Sequence, residues 1–149
     1  MRQAAPRRGE LPASYESERA VLASALLDSD QVKKEGVYSA LQTSDFFWEE
    51  NRIVWDAVTT CVERGDPVTI PTVAYMMAEM GTIDRLDQLF KEGAEVYLVL
   101  LNENWYSALG CKAFASMVKK YSDMRERINQ GAKMVREGYQ GQTKLGWVK

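Results

Sequence analysis

Few residues in this 149-residue chain are typed and spaced for chemistry. Asp84 and Asp87, three apart in "IDRLDQLF", can share a helix face and hold a magnesium ion, or serve as an N-cap and a first-turn carboxylate. The second use is the ordinary one for this spacing. Glu49 and Glu50, and Glu16 and Glu18, point to different helix faces, so they make poor acid/base pairs and read as solvated caps. Cys61 and Cys111 each stand alone in an apolar helical pattern, which predicts buried thiols and neither a disulfide nor a zinc framework. The chain has no histidine, which removes Ser-His-Asp and Cys-His nucleophile systems, H-E-x-x-H metal sites and the usual zinc finger. "GYQGQTK" carries glycines and a lysine at the wrong offsets for a P-loop and follows a helix instead of a strand, so ATP binding of that kind is not expected. Neither an enzyme nor a cofactor or metal site is expected in this chain.

One cluster remains, the cations Lys112, Lys119, Lys120, Arg125, Arg127, Lys133 and Arg136 near the C-terminal end. They can grip phosphates, with Lys119, Lys120 and Arg127 as the candidate contacts, or form a helix face that is solvated or meets an acidic partner. The aromatic platform that interleaves the cations of single-strand binders is missing, which favours the second reading. Charge is strongly segregated. Residues 14–111 hold seven Lys and Arg against seventeen Asp and Glu, whereas residues 112–149 hold nine against three, so a net charge of −2 hides an acidic body and a basic end.

The elements that carry these residues are helical. Residues 1–12, with Pro6, Gly9, Pro12 and the cations Arg2, Arg7 and Arg8, read as a flexible arm. Residues 13–103 read as a compact helical body of about five short helices. Ser14 caps a first helix ending near Asp28, and Asp30 caps a second through Val32, Val37, Tyr38 and Leu41 that Gly36 weakens. Trp48, Ile53, Val54, Trp55, Val58 and Val62 recur at helical spacing until Gly65 stops the third. Asp66-Pro67 makes a corner, and "TVAYMMAEM" runs on to Gly81 with Met76, Met77 and Met80 as core filler or, less often at such spacings, an adaptable docking face.

A long helix is predicted over residues 104–139, with Phe114, Val118, Tyr121, Arg125, Ile128, Val135 and Tyr139 as a stripe at i, i+4, i+7 spacing. It exceeds what a body of this size can cover, so part of it is expected to pack on something outside. Phe114, Val118, Tyr121, Arg125, Ile128 and Val135 are the candidate interface. Residues 140–149, with Trp147, read as a tail or the start of a linker. No apolar run reaches the roughly 18 residues a membrane helix needs, and the N-terminus lacks the apolar centre of a secretory signal, so a soluble cytoplasmic protein is expected. The residues alone lead to an all-α interaction module.

The order of motifs resembles the N-terminal domain of the DnaB-type replicative DNA helicase. The segments that carry the likeness are "PASYESERAVLASALLD" (12–28), "DFFWEENRIVWDA" (45–57), "GDPVTIPTV" (65–73), "YLVLL" (97–101) and "FASMVKKYSDMRERI" (114–128), which together run over nearly the whole chain. Thr69 and Asn51 depart from the aspartate and histidine common in that family, as do Gly110 and Gly131 in the long helix. The resemblance implies a helical body plus a helical hairpin that pairs subunits, builds a collar on the hexameric helicase and docks the primase. ATP and magnesium would then belong to a separate downstream motor domain. It also admits a stand-alone regulator or inhibitor of a helicase, beside the DNA-binding reading of the basic helix.

Overall fold

A computed structural model of the chain describes residues 11–144, with side chains to residue 140. The expected arm up to residue 10 and the end of the expected tail, with Trp147, lie outside the described residues. Those residues form eight α-helices and no strand: α1 (Tyr15–Leu27), α2 (Ser29–Lys34), α3 (Val37–Ala40), then after a 3-10 turn (Thr43–Asp45) α4 (Glu49–Arg64), α5 (Ile70–Met80), α6 (Ile83–Leu89), α7 (Ala94–Asn102) and α8 (Cys111–Lys144). The all-α class and the long last helix agree with the sequence reading.

The central element is α1. Ser14 accepts from the Ser17 amide as its N-cap, and the helix is apolar on almost every side, with Ala20, Val21, Leu22, Ala23 and Ala25 buried. Such a helix needs neighbours all round it, and α4, α7 and α8 supply them. Trp55 of α4 lies wholly buried, stacked on Tyr38 and tilted against Phe46 at centroid separations of 5.4 and 5.2 Å. Rings at these distances contribute beyond their area, by about 0.5–1.5 kcal/mol per pair. Phe46, ahead of α4, and Trp55, within it, thus build core, while Phe47 and Trp48 are only half-buried. Met76 and Met77 are core filler, and both cysteines are buried and free.

Several element boundaries differ from expectation. The predicted second helix is two, because Gly36 takes a left-handed conformation (φ +79°) that no continuous helix admits, and its N-cap is Asp28 in place of Asp30. The segment "AEVYLVLLN" forms a helix of its own, α7. The long helix begins at Cys111 and not at 104, since Gly110 (φ +81°) turns the chain after a loop in which Trp105 donates its indole N–H to Ser24 at 3.0 Å. At its far end the helix continues to Lys144, through the first five residues expected as tail.

Candidate interaction surface on the long helix

Two carboxylates fasten α8 to the body. Glu35, at the end of α2, accepts from the amides of Gly110 and Lys112 at 2.9 and 3.1 Å and so satisfies the first free N–H groups of α8. Its carboxyl is held below the usual range by the Gln31 side chain first and by the Lys112 amide next. Glu35→Ala is expected to speed amide exchange at residues 110–112 about fivefold while leaving α1 and α4 unchanged, as loss of a cap does. Equal exchange in the two proteins would remove Glu35 from this role.

Asp45 is the second fastening, and it sits almost fully buried in the 3-10 turn. One carboxylate oxygen accepts from the Gln42 amide at 2.8 Å; the other accepts from Ser122 Oγ at 2.7 Å and Lys119 Nζ at 3.3 Å. Its main-chain carbonyl takes Nη2 of Arg125 at 2.7 Å, while Nη1 of the same guanidinium donates to the Pro12 carbonyl at 2.9 Å. Arg125 also lies 5.3 Å from the centre of the Phe47 ring. Three consecutive turns of α8 are tied to a single residue.

Below this clamp lies a buried polar chain. Tyr97 donates to Asn51, Asn51 Nδ2 donates to Glu18 Oε1 at 3.0 Å, and the Phe47 amide donates to Glu18 Oε2 at 2.8 Å. Burial pushes the Glu18 carboxyl up, against the pull of these donors and of nearby Arg125. The solvated-cap reading of Glu18 is therefore corrected: only 2% of it is exposed. The available signal was its place at 18 before Val21, Leu22 and Ala25, on the same helical face as the core.

The six candidate interface residues divide between two faces of α8. Val118 and Arg125 lie with Cys111, Ala115 and Ser122 on the side that packs on the body, so they are corrected to intramolecular roles. Phe114, Tyr121, Ile128 and Val135 recur every seven residues about a quarter turn away, interleaved with Met117, Met124, Gly131 and Gly138. This second stripe is a heptad seam. Phe114, Met117, Ile128 and Val135 are exposed, and beyond Arg125 every side chain to residue 140 is exposed. Of the candidate phosphate contacts, Lys119 is held by Asp45 and Asp123, whereas Lys120 and Arg127 are exposed along a groove of about 560 Å³ that Glu35 and Asp123 also line. The cations are not gathered into one site.

Asp84 and Asp87 do not act together either. Asp87 accepts from the Ala94 amide at 2.7 Å and caps α7. Among the described residues no group of three metal-ligating side chains is found, and no helix is long and apolar enough to cross a membrane.

A family model for the DnaB-like helicase N terminal domain matches residues 10–120. Replicative DNA helicase DnaB of Mycobacterium leprae is 27% identical over 130 residues, covering 87% of this chain and 20% of the relative. The DnaB of Haemophilus influenzae is 23% identical over 128 residues, 86% of this chain and 26% of that one. The chain thus spans a fifth to a quarter of the length of these relatives. The crystal structure of the N-terminal domain of DnaB helicase from Mycobacterium tuberculosis superposes with a TM-score of 0.79 at 27% identity, covering 89% of both chains.

Proposed function

Since this chain belongs to the DnaB-like helicase N-terminal domain family, we propose that it is a non-catalytic collar module, which joins copies of itself and docks the primase or another replication protein in the cytoplasm. The observation that carries the reading is the heptad seam of α8, from Phe114 to Val135, which is half-buried at Tyr121 and Met124, exposed at Phe114, Met117, Ile128 and Val135, and continued beyond the point where the body ends. An apolar seam of this period is built to receive another helix, and leaving it in water forfeits the burial of every side chain along it. ATP and magnesium would be used by a motor domain elsewhere in a helicase, with no cofactor held here.

Solution mass by light scattering over a concentration series tests the reading. The wild type is expected to form a dimer or larger assembly, and the double change Tyr121→Asp, Ile128→Asp is expected to disperse it with its helical signal intact. Burying two carboxylates in a small helix interface disfavours association by at least a hundredfold. A wild-type monomer at the highest concentration reached, without affinity for a helicase or primase, would overturn the proposal.

A further inference from the structure

We infer that the aromatic groove between α1 and the loop joining α7 to α8 is occupied by residues 1–10 of the same chain, with their arginines against the carboxylates at its rim.

The groove holds about 380 Å³. Tyr15 of α1, Trp105 of the loop and Phe114 of α8 wall it, over the small side chains that α1 presents between them. All three rings are fixed before anything enters. Tyr15 stands edge-on to Trp48 at a centroid separation of 4.9 Å, and its hydroxyl lies 3.3 Å from that of Tyr97. Trp105 stands edge-on to Phe114 at 5.6 Å with its indole N–H on Ser24. The loop reaches that position through Asn104, whose φ of +62° is a left-handed conformation that asparagine tolerates. Walls set in advance leave little to be ordered when an occupant arrives. Phe114 remains 38% exposed, and Tyr15 and Trp105 are half-buried, so ring surface is left to cover.

Charge selects the occupant. Glu16 and Glu103 are exposed at the rim, against one cation, Arg19, whose guanidinium is turned to the Leu100 carbonyl and the Tyr15 ring. Two larger grooves along α8, about 560 Å³ each, have the opposite balance: one is lined by four Lys and Arg against two carboxylates, the other by three against two. A cationic segment is repelled by those and drawn to the aromatic groove. Residues 1–10 are such a segment, with Arg2, Arg7 and Arg8 against Glu10, and with Ala4, Ala5 and Pro6 between the cations to cover the rings.

Place and length fit as well. The root of the segment is fixed, because Arg125 holds the Pro12 carbonyl and Ala13 is buried. The groove runs beside α1 from Tyr15 to Ala23, about 12 Å. Residues 6–10 reach up to roughly 17 Å from Leu11, so Pro6 can lie on the rings with Arg7 and Arg8 at the rim. Attachment beside the groove gives the segment an effective concentration in the millimolar range, which a free peptide of equal affinity must exceed to displace it. The groove is thus closed to other chains until residues 1–10 leave it.

Paramagnetic broadening tests this. A thiol-directed nitroxide is placed at Ala5→Cys, the native Cys61 and Cys111 being buried, and the amide spectrum is recorded. The Trp105 indole N–H and the amides of residues 101–105 are expected to broaden beyond detection, while those of residues 127–139 keep their intensity. Adding Arg7→Glu and Arg8→Glu is expected to restore the lost signals. An equal mixture of nitroxide-bearing protein with isotope-enriched protein that lacks the nitroxide is expected to show no loss, since the contact lies within one chain. Broadening along α8 instead, no selective broadening, or broadening that survives the charge reversal would each overturn the inference. Loss of the same signals in the mixture would overturn it too, by assigning the groove to residues 1–10 of a second copy.

Discussion

Asn51→Asp is expected to lower the melting temperature by roughly 10–15 °C at pH 7 and to return much of that loss by pH 5. The substitution keeps the shape of the side chain and replaces the amide that donates to Glu18 Oε1 at 3.0 Å with a second carboxylate. Both positions are buried, and neither charge can recover its hydration. Breaking a buried polar pair so that like charges face each other costs about 4 kcal/mol, and for a chain of this length each kcal/mol moves the midpoint by about 3 °C.

The direction with pH follows from Glu18. Burial already raises its carboxyl in the folded protein, so its contribution favours folding below the unfolded value and is lost as pH rises through the folded one. A second carboxylate raises it further, and one proton shared between the two restores a donor, so acidification to pH 5 stabilises the variant. Glu35 and Glu49 act in the opposite sense, being lowered by Gln31 and by Arg85; their contributions are present above the unfolded value and fall away only at lower pH. Between pH 7 and 5 the recovery therefore reports Glu18 and the new aspartate. Thermal melts of wild type and variant across that range decide it, and an equal loss at pH 7 and pH 5 would reject the account.

Arg125→Met is expected to cost about 3 kcal/mol and to release the start of the chain from the body. Methionine fills the space of the stem but supplies neither donor, so the carbonyls of Pro12 and Asp45 both lose a charge-assisted hydrogen bond, at about 1–2 kcal/mol each. Amide exchange should rise first at residues 11–14 and 43–46, ahead of the α1 and α4 core. Arg125→Lys should recover less than half the stability, because a single ammonium cannot fork between two carbonyls as the guanidinium does. A melting temperature within 2 °C of wild type would show that the clamp contributes little.

The parts of the fold that could be read from the chain are those with a single apolar face and an explicit stop. α4 is the clearest, with Trp55, Val58 and Cys61 turned inward and Gly65 ending it. The break at Gly36 was harder to place, because a glycine is compatible with a weak helix until its left-handed torsion is seen. On α8 the error came from geometry. Val118 and Arg125 stand one register from Phe114, Tyr121, Ile128 and Val135, and periodicity along one dimension merges two adjacent apolar faces into one stripe. Only the position of Asp45, far away in sequence, reveals which face is taken inside. The exposed face of α7 was hidden for a similar reason: "AEVYLVLLN" is apolar nearly all round, and its outer side is uncovered only because no neighbour reaches it.

The fastening of α8 at one end makes it a lever. The last turns held by Asp45 and Arg125 act as the pivot, and about 28 Å of helix extends past them to Lys144. A tilt of about 10° at the pivot would carry the tip sideways through roughly 5 Å. Force applied at the tip would therefore act on the contacts that Asp45 makes with Ser122 and Lys119.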